Sequence, residues 1–359
     1  MIRVLHLIDS LDLGGAQAVL VNLARFRHRE KFVLTVAAMH GHGLFTKALE
    51  AEGVRVLSLS REKFPPAYLW TLPRLLRQEK FDIVHCHLFG SNWIGKPLAA
   101  ACGVPVRVNH DHCNDRVRSG WRLALDRLTN RLSSQVIAVS QSTREALVDE
   151  VGLSRDLVTF LPNGVDMEHF QPAEASARDA ARSELSLDPE VVVVAGLGRL
   201  HPQKNWPLFL QIAQEFPAAQ FILAGAGPEE ATIQAEAPPN VHLIGLQNPQ
   251  TVLAAADIFL LTSHYEGTPM TLLEAMASGL PSLVSAVDGC AEILGDGVGG
   301  VTAEPGNSRD FVAKLSPLLD SSDLRGRVGR AARNKALGYY DARTQARAVE
   351  EMYEMLLRK

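Results

Sequence analysis

Short, continuous apolar runs alternate with segments of helical periodicity almost from end to end of this chain. Residues 4–8, 32–39, 81–87, 104–110 and 135–140 are strand-sized and apolar at successive positions, not at every second one. Strands of that kind are buried on both faces, which calls for a parallel sheet with helices on each side. Between them, residues 16–28 place apolar side chains three and four apart, as a buried helix face does. A helix near 44–52 and a strand near 54–59 continue the pattern. After Pro162-Asn163-Gly164 it lapses into a polar, Ala-rich stretch running to about residue 189, read as a linker region holding a short helix. It then restarts at 191–198, 221–227, 241–246, 257–263 and 281–286. The 359 residues exceed what one core usually serves. The expected fold class is therefore α/β, with two Rossmann-like domains, 1–170 and 171–341, whose parallel sheets face each other across a cleft. A final helix spans 342–358 and suits either domain. Ligands in such sheets bind beyond the carboxyl ends of the strands, at the switch point in strand order.

Composition narrows the setting. No window reaches the ~20 apolar residues that span a bilayer. The first apolar run is too short for a signal peptide, so a cytoplasmic location is expected, with the inner face of the membrane as an extension of it. Cys86, Cys102, Cys113 and Cys290 form no CxxC pair, which fits reduced thiols better than a disulfide framework or a cysteine zinc site. The net charge of −4 divides unevenly: residues 1–170 carry 21 Lys and Arg against 17 Asp and Glu, and residues 171–359 carry 15 against 23. The basic half suits an anionic partner such as lipid phosphate. No nucleic-acid partner is expected.

Three loops at predicted strand ends carry the chemistry. Gly14-Gly15 lets backbone approach a ligand where a helix begins, and a helix start presents free N–H groups to an anion. Gly198-Arg199 through Lys204 sets a guanidinium and an ammonium on one loop, a pairing able to clamp a diphosphate. The strongest pattern runs from Glu266 to Pro281. Gly267 and Pro269 argue against one continuous helix there, and a helix start near Thr268 or Pro269 is expected. That leaves Glu266 on the loop and Glu274 on the helix, with the amides of Met270 and Thr271 turned to the ligand edge. A loop carboxylate, a ring of amides and a helix carboxylate suit a sugar, a phosphate and a ribose.

These pieces, with the strand-end His87, Pro162-Asn163-Gly164-Val165-Asp166 and Gly225-Ala226-Gly227-Pro228, resemble glycosyltransferase family 4, retaining enzymes of the GT-B fold. The resemblance covers nearly the whole chain. It implies that Arg199 and Lys204 hold the donor diphosphate and that Glu274 binds the ribose hydroxyls. Glu266 would contact the donor sugar, aided by Gly198 and by the backbone of Gly267, Thr268, Pro269, Met270 and Thr271, of which Pro269 has no N–H to give. Gly14 and Gly15 would touch phosphate or sugar, and His87 would lie by the reacting sugar. Leu246 and Gln247 would frame the base. Asp111, His112 and Asn163 are the acceptor candidates. The resemblance also implies a last helix that crosses back to the first domain. Many members carry Glu where this chain has Gln17.

The activity so implied is hexosyl or related transfer, with retention, from a nucleotide-diphosphate sugar to a glycan or lipid-linked acceptor. No cofactor is expected beyond the donor. No metal is expected either, since the chain has no Asp-x-Asp triplet and its cations and helix amides would supply the charge. Two rivals stand beside this. His85-Cys86-His87 and His110-Asp111-His112 are two pairs of strand-end histidines, and residues two apart share a face, so a metal-dependent hydrolase is one. A nucleotide-sugar epimerase or silent binding protein on the same frame is the other. The segment from Arg116-Val117-Arg118-Ser119 through Trp121 to Arg131 reads as a basic amphipathic helix, either resting on an anionic membrane or packed on the sheet.

Overall fold

The structure, a computed structural model, describes residues 1–60, 67–112 and 120–359. Two compact units divide it: Met1–Gly164 together with Ala342–Lys359, and Val165–Asp341.

The first unit holds seven strands: β1 (Ile2–Ile8), β2 (Phe32–Ala38), β3 (Arg55–Ser58), β4 (Ile83–His87), β5 (Val106–Asp111), β6 (Gln135–Ala138) and β7 (Val158–Phe160). They pair in parallel in the order β3-β2-β1-β4-β5-β6-β7. The order reverses between β1 and β4, which makes their carboxyl ends the switch point. Successive side chains take opposite faces. Leu5, Leu7, Val84 and Cys86 enter one apolar cluster with Leu72, Leu76 and Ala99. His6 and His85, in register across β1 and β4, take the other face.

The helix Ala342–Arg358 serves that second face. It buries Ala346, Val349, Tyr353 and Leu356, spaced three and four apart. The Tyr353 hydroxyl meets His85 Nδ1. Glu350 accepts the His28 amide at 2.7 Å, and Gln345 accepts the Gly164 amide at 3.0 Å. This last helix is thus structural material of the first unit.

The second unit holds six strands: β8 (Val193–Leu197), β9 (Gln220–Ala224), β10 (Val241–Gly245), β11 (Ile258–Leu261), β12 (Ser282–Ser285) and β13 (Gly300–Ala303). Their order, β10-β9-β8-β11-β12-β13, repeats the scheme of the first sheet, with its switch point between β8 and β11. Trp206, Phe209, Phe221 and Phe311 fill the core on one side of this sheet.

Two expectations change. The division falls at Gly164/Val165, not after residue 170. Asp166 Oδ1 accepts the amides of Glu168 and His169, and Arg333 donates to the carbonyls of Met167 and Phe170. Residues 165–170 therefore belong to the second unit. Nor is the Ala-rich stretch a loose linker. Its helix, Ala175–Glu184, is anchored by the buried Arg182, which donates to the Ala255 carbonyl at 3.0 Å and pairs with Asp257 at 2.6 Å. Asp257 also pairs with Arg178 and accepts the Val193 amide, so one carboxylate ties the helix to the start of β8.

Candidate active site

At the second unit's switch point, two loops lie side by side because β8 and β11 are neighbours in the sheet. After β8 come Gly198, Arg199 and a short 3-10 turn over Pro202–Lys204. After β11 come Thr262 to Glu266 and then the helix Met270–Ala277. Hydrogen bonds join the loops at every level. The Thr262 hydroxyl donates to the Lys204 carbonyl at 2.9 Å, the His264 amide to the Gln203 carbonyl at 2.8 Å, and Gln203 Nε2 to the Tyr265 carbonyl at 2.9 Å. Trp206 Nε1 holds the Arg199 carbonyl at 2.9 Å. Backbone on both sides is fixed, so the charged side chains start from defined positions.

The centre is an ion pair. Lys204 Nζ lies 2.6 Å from Glu266 Oε1, and Ser263 Oγ donates to the same oxygen at 2.6 Å. Both charged residues are buried. Arg199 is exposed and makes one 3.2 Å contact, to Gln203 Oε1. It is an anchored but accessible guanidinium, the form suited to an incoming anion.

The helix starts at Met270, just past the expected start near Thr268 or Pro269, and Pro269 occupies the cap position. The Leu272 amide bonds the Pro269 carbonyl at 3.2 Å, while those of Met270 and Thr271 stand too early in the helix for an intrahelical acceptor. Thr271 Oγ1 is buried there with no hydrogen-bond partner among the described residues. Glu274 follows one turn on, and burial raises its carboxyl to about 7. Gly267 packs so closely on Gly289 that a Cβ there would stand 1.4 Å from the Gly267 carbonyl oxygen. The loop conformation after Glu266 therefore depends on a glycine at 289.

Leu246 and Gln247 follow the end of β10. The Gly225 amide bonds the Gly245 carbonyl at 2.9 Å, while a Cβ on Gly225, whose φ is +152°, would come within 1.8 Å of the Gly198 carbonyl oxygen. Gly198, Gly225 and Gly245 thus form a stepped row along the carboxyl edge of β8, β9 and β10. Leu246 is exposed beyond that row, and Gln247 Nε2 folds back to the Ile244 carbonyl.

In the first unit the switch point is built differently. Gly14 caps the helix Gly15–Phe26, and Gly15 is exposed. Gln17, where many members carry Glu, donates to the Ser10 carbonyl at 3.0 Å and braces this turn. Beside it Asp9 accepts the amides of Gly90 and Ser91, so a carboxylate already occupies the start of the helix Phe89–Ala101. Leu88 has a φ of +70°, an unusual conformation for leucine, and it sits between that helix and His87.

His87 is fully buried. Its Nε2 lies 2.9 Å from His6 Nδ1, and its Nδ1 lies 3.0 Å from His112 Nε2. Among neutral rings each such bond needs one N–H, so the chain His6–His87–His112 must run in a single direction. Burial holds His6 and His112 down to about 3 and keeps His85, His87 and His110 well below the ordinary histidine range. His87 and His112, expected at one site, do meet, and Asp111 precedes His112 at the end of β5. Asn163 does not join them by sequence position: it follows β7, three strands from β4, where the next residue, Gly164, bonds Asn22 and Gln345.

The structure adds residues the sequence reading passed over: Ser263, Gln203, Gly289 and His6. Ser263 stands three before Glu266, a spacing that signals a local bond. His6 gave no signal, being one polar residue within an apolar strand.

Of the basic segment, Cys113 and Arg116 to Ser119 lie outside the described residues. The described part forms the helix Gly120–Asn130. Arg127 donates to the Glu150 and Val151 carbonyls, and Arg122 lies over the rings of Phe89 and Trp121. No described helix is long and apolar enough to cross a membrane.

The doubly repeated Rossmann scheme and the charged loop at its second switch point define a glycosyltransferase of the GT-B fold. A family model described as Glycosyltransferase Family 4 matches residues 13–169, and one described as Glycosyl transferases group 1 matches 177–335. The chain belongs to the glycosyltransferases of the family 4 type. It is 27% identical over 312 residues to the UDP-Gal:alpha-D-GlcNAc-diphosphoundecaprenol alpha-1,3-galactosyltransferase of Escherichia coli, covering 81% of this chain and 80% of that one. It is 27% identical to the N,N'-diacetylbacillosaminyl-diphospho-undecaprenol alpha-1,3-N-acetylgalactosaminyltransferase of Campylobacter jejuni, covering 88% and 89%. The crystal structure of Anabaena HepE with UDP and glucose superposes with a TM-score of 0.89 at 21% identity, over 99% of this chain and 100% of that one.

Proposed function

We propose that this glycosyltransferase moves a hexosyl group, with retention at the anomeric carbon and without a metal, from a nucleotide-diphosphate sugar to a glycan carried on a lipid diphosphate. The buried Lys204–Glu266 pair beside the free helix amides carries the reading. An ammonium held within 2.6 Å of a carboxylate has a defined place before any ligand arrives. A diphosphate leaving group gathers negative charge as the glycosidic bond breaks, and preorganised donors at that charge are commonly the largest catalytic contribution. Lys204, Arg199 and the amides of Met270 and Thr271 are such donors. Glu266 then faces the sugar and Glu274 the ribose.

The acceptor class rests on the two relatives above, whose names specify lipid diphosphates. Peripheral membrane contact belongs to the same reading. The helix Gly120–Asn130 buries polar residues, with Asp126 accepting from Trp93 Nε1 at 2.9 Å and Asn130 from Lys96 Nζ at 2.6 Å, yet exposes Trp121 and Leu128, seven apart on one face. That inverted pattern suits an interfacial helix.

The experiment is incubation of the full chain with a panel of nucleotide-diphosphate sugars, reading nucleoside diphosphate released and the anomeric configuration of the product. Release that survives EDTA with retained configuration supports the proposal. No release from any donor, or complete EDTA loss restored by Mn²⁺, contradicts it. Liposomes of anionic lipid should sediment the chain at low salt and W121A less well; equal sedimentation of both removes the membrane role of this helix.

A further inference from the structure

Five histidine rings crowd one face of the first sheet: His6 from β1, His85 and His87 from β4, His110 from β5 and His112 just beyond it. His110 and His112 stack with centroids 4.1 Å apart, and each lies 5.3 Å from His87. A transferase that needs one histidine by its sugar has no evident use for the rest. Tyr353 takes His85, and His6 is bonded to His87. His85 still keeps one nitrogen, Nε2, unpaired among the described residues, and His110 keeps two. The His110 ring is fully buried, and neither ring nitrogen has a hydrogen-bond partner among the described residues. The second nitrogen of His112, Nδ1, is in the same state. Buried polar atoms left unpaired are costly, so such a cluster asks for a ligand.

We propose that His87, His110 and His112 form a site for one borderline transition-metal ion, zinc by preference. One ring nitrogen from each lies within 4.8 Å of the others. His87 Nδ1 and His112 Nε2, at 3.0 Å, are close to the spacing of about 3.3 Å that two ligands take on a tetrahedral zinc with Zn–N bonds of about 2.0–2.1 Å. Three imidazoles leave a fourth position for water or an anionic group, the arrangement of an open site. Imidazole ligands select zinc, copper, iron and nickel over magnesium or calcium. His6, His85 and His87 form a second possible triad, but all three are buried, and although His85 Nε2 is unpaired among the described residues, His85 Nδ1 meets Tyr353 and His6 Nδ1 meets His87. The outer triad includes His112, which stands just past the end of β5 and is partly exposed beyond its buried Nδ1, so it is the more accessible of the two.

The consequence for activity rests on the function proposed above. A metal on His87 Nδ1 takes the ring from the donor sugar, so zinc would act as an inhibitor of an enzyme that needs no metal.

The full chain is stripped with EDTA, desalted, titrated with zinc chloride and measured for bound metal by mass spectrometry. Cobalt(II) is substituted to give the visible absorption of a tetrahedral site. One zinc per chain is expected. H110Q should lower zinc affinity by at least ~10-fold, as even weaker perturbations around a metal site do. H85Q, outside the ligand set, should bind as the wild type does, and circular dichroism checks that each variant is folded. Each protein's donor turnover is compared with and without zinc. Wild-type turnover should fall at stoichiometric zinc and return on EDTA, while H110Q needs at least tenfold more. Less than half an equivalent of zinc on the wild type, or unchanged affinity in H110Q, overturns the site. Metal content is read without turnover, so a chain that binds zinc through His110 but consumes no donor would overturn the transferase reading and leave the site standing.

Discussion

Glu274 offers a quantitative test of how the second unit holds its ligand. Its carboxyl is buried in the helix Met270–Ala277, and burial raises it from an ordinary 4.5 to about 7. Below pH 4.5 the folded and unfolded chains are both protonated there, and the group has no influence on stability. Between 4.5 and 7 the unfolded chain has released the proton and the folded one keeps it. Stability therefore falls as pH rises. Each pH unit of that interval costs about 1.4 kcal/mol, or about 3 kcal/mol in all by pH 8. The perturbation is E274Q, which removes the titration and nearly conserves shape. Urea unfolding of the ligand-free full chain at pH 5 and pH 8 should show the variant gaining on the wild type by about 2–3 kcal/mol between the two. A gap that stays constant over this range would refute the reasoning. Nucleotide should couple to the same proton. A ribose donates better to an ionised carboxylate, so affinity should climb toward pH 7 in the wild type and stay flat in E274Q.

Three further outcomes are expected. K204M should reduce donor turnover by ~10²-fold or more, as loss of one charge-stabilising donor commonly does; nucleoside diphosphate release within about threefold of wild type would refute the assigned role. D257A leaves Arg182 buried without its carboxylate and should destabilise by about 3–5 kcal/mol in denaturant melts, whereas a change under about 1 kcal/mol would mean that the anchoring of the Ala175–Glu184 helix is overstated. G289A drives a Cβ into the Gly267 carbonyl, so the variant should lose the thermal shift that the wild type shows with its nucleotide-diphosphate sugar. A wild-type shift would show that the loop after Glu266 does not need this glycine.

The sheets were legible wherever a strand is buried on both faces, because the apolar run is then unbroken. Residues 4–8, 191–198 and 221–227 correspond to β1, β8 and β9. The edge strands β7 and β13 were not. Val158–Phe160 and Gly300–Ala303 are three and four residues long and partly exposed, too short to leave a hydrophobic pattern. Arg182 read as linker polarity because a buried arginine is recognised only through its partner, and Asp257 lies 75 positions away. Lys204 and Glu266 were each picked out by motif. Their meeting at 2.6 Å follows from β8 lying next to β11, an adjacency that strand order sets and local pattern does not reveal. The histidine pairs were visible as two dipeptide-spaced signals. The β1–β4 register sets His6 opposite His85, and only on the diagonal does its ring reach His87.

The helix Ala342–Arg358 gives the first unit a scheduling problem. Residues 1–164 leave the ribosome first, yet the side of their sheet that holds His85 is sealed by Tyr353, which is made only after the whole second unit. Synthesis at ~5–20 residues per second leaves that surface uncovered for roughly 10–40 seconds. During that wait the second unit, whose residues are contiguous, can finish first. Maturation of this enzyme should thus proceed out of sequence order, with the earlier-made unit completed after the second one, and loss of the Ala342–Arg358 helix should harm the unit made before it.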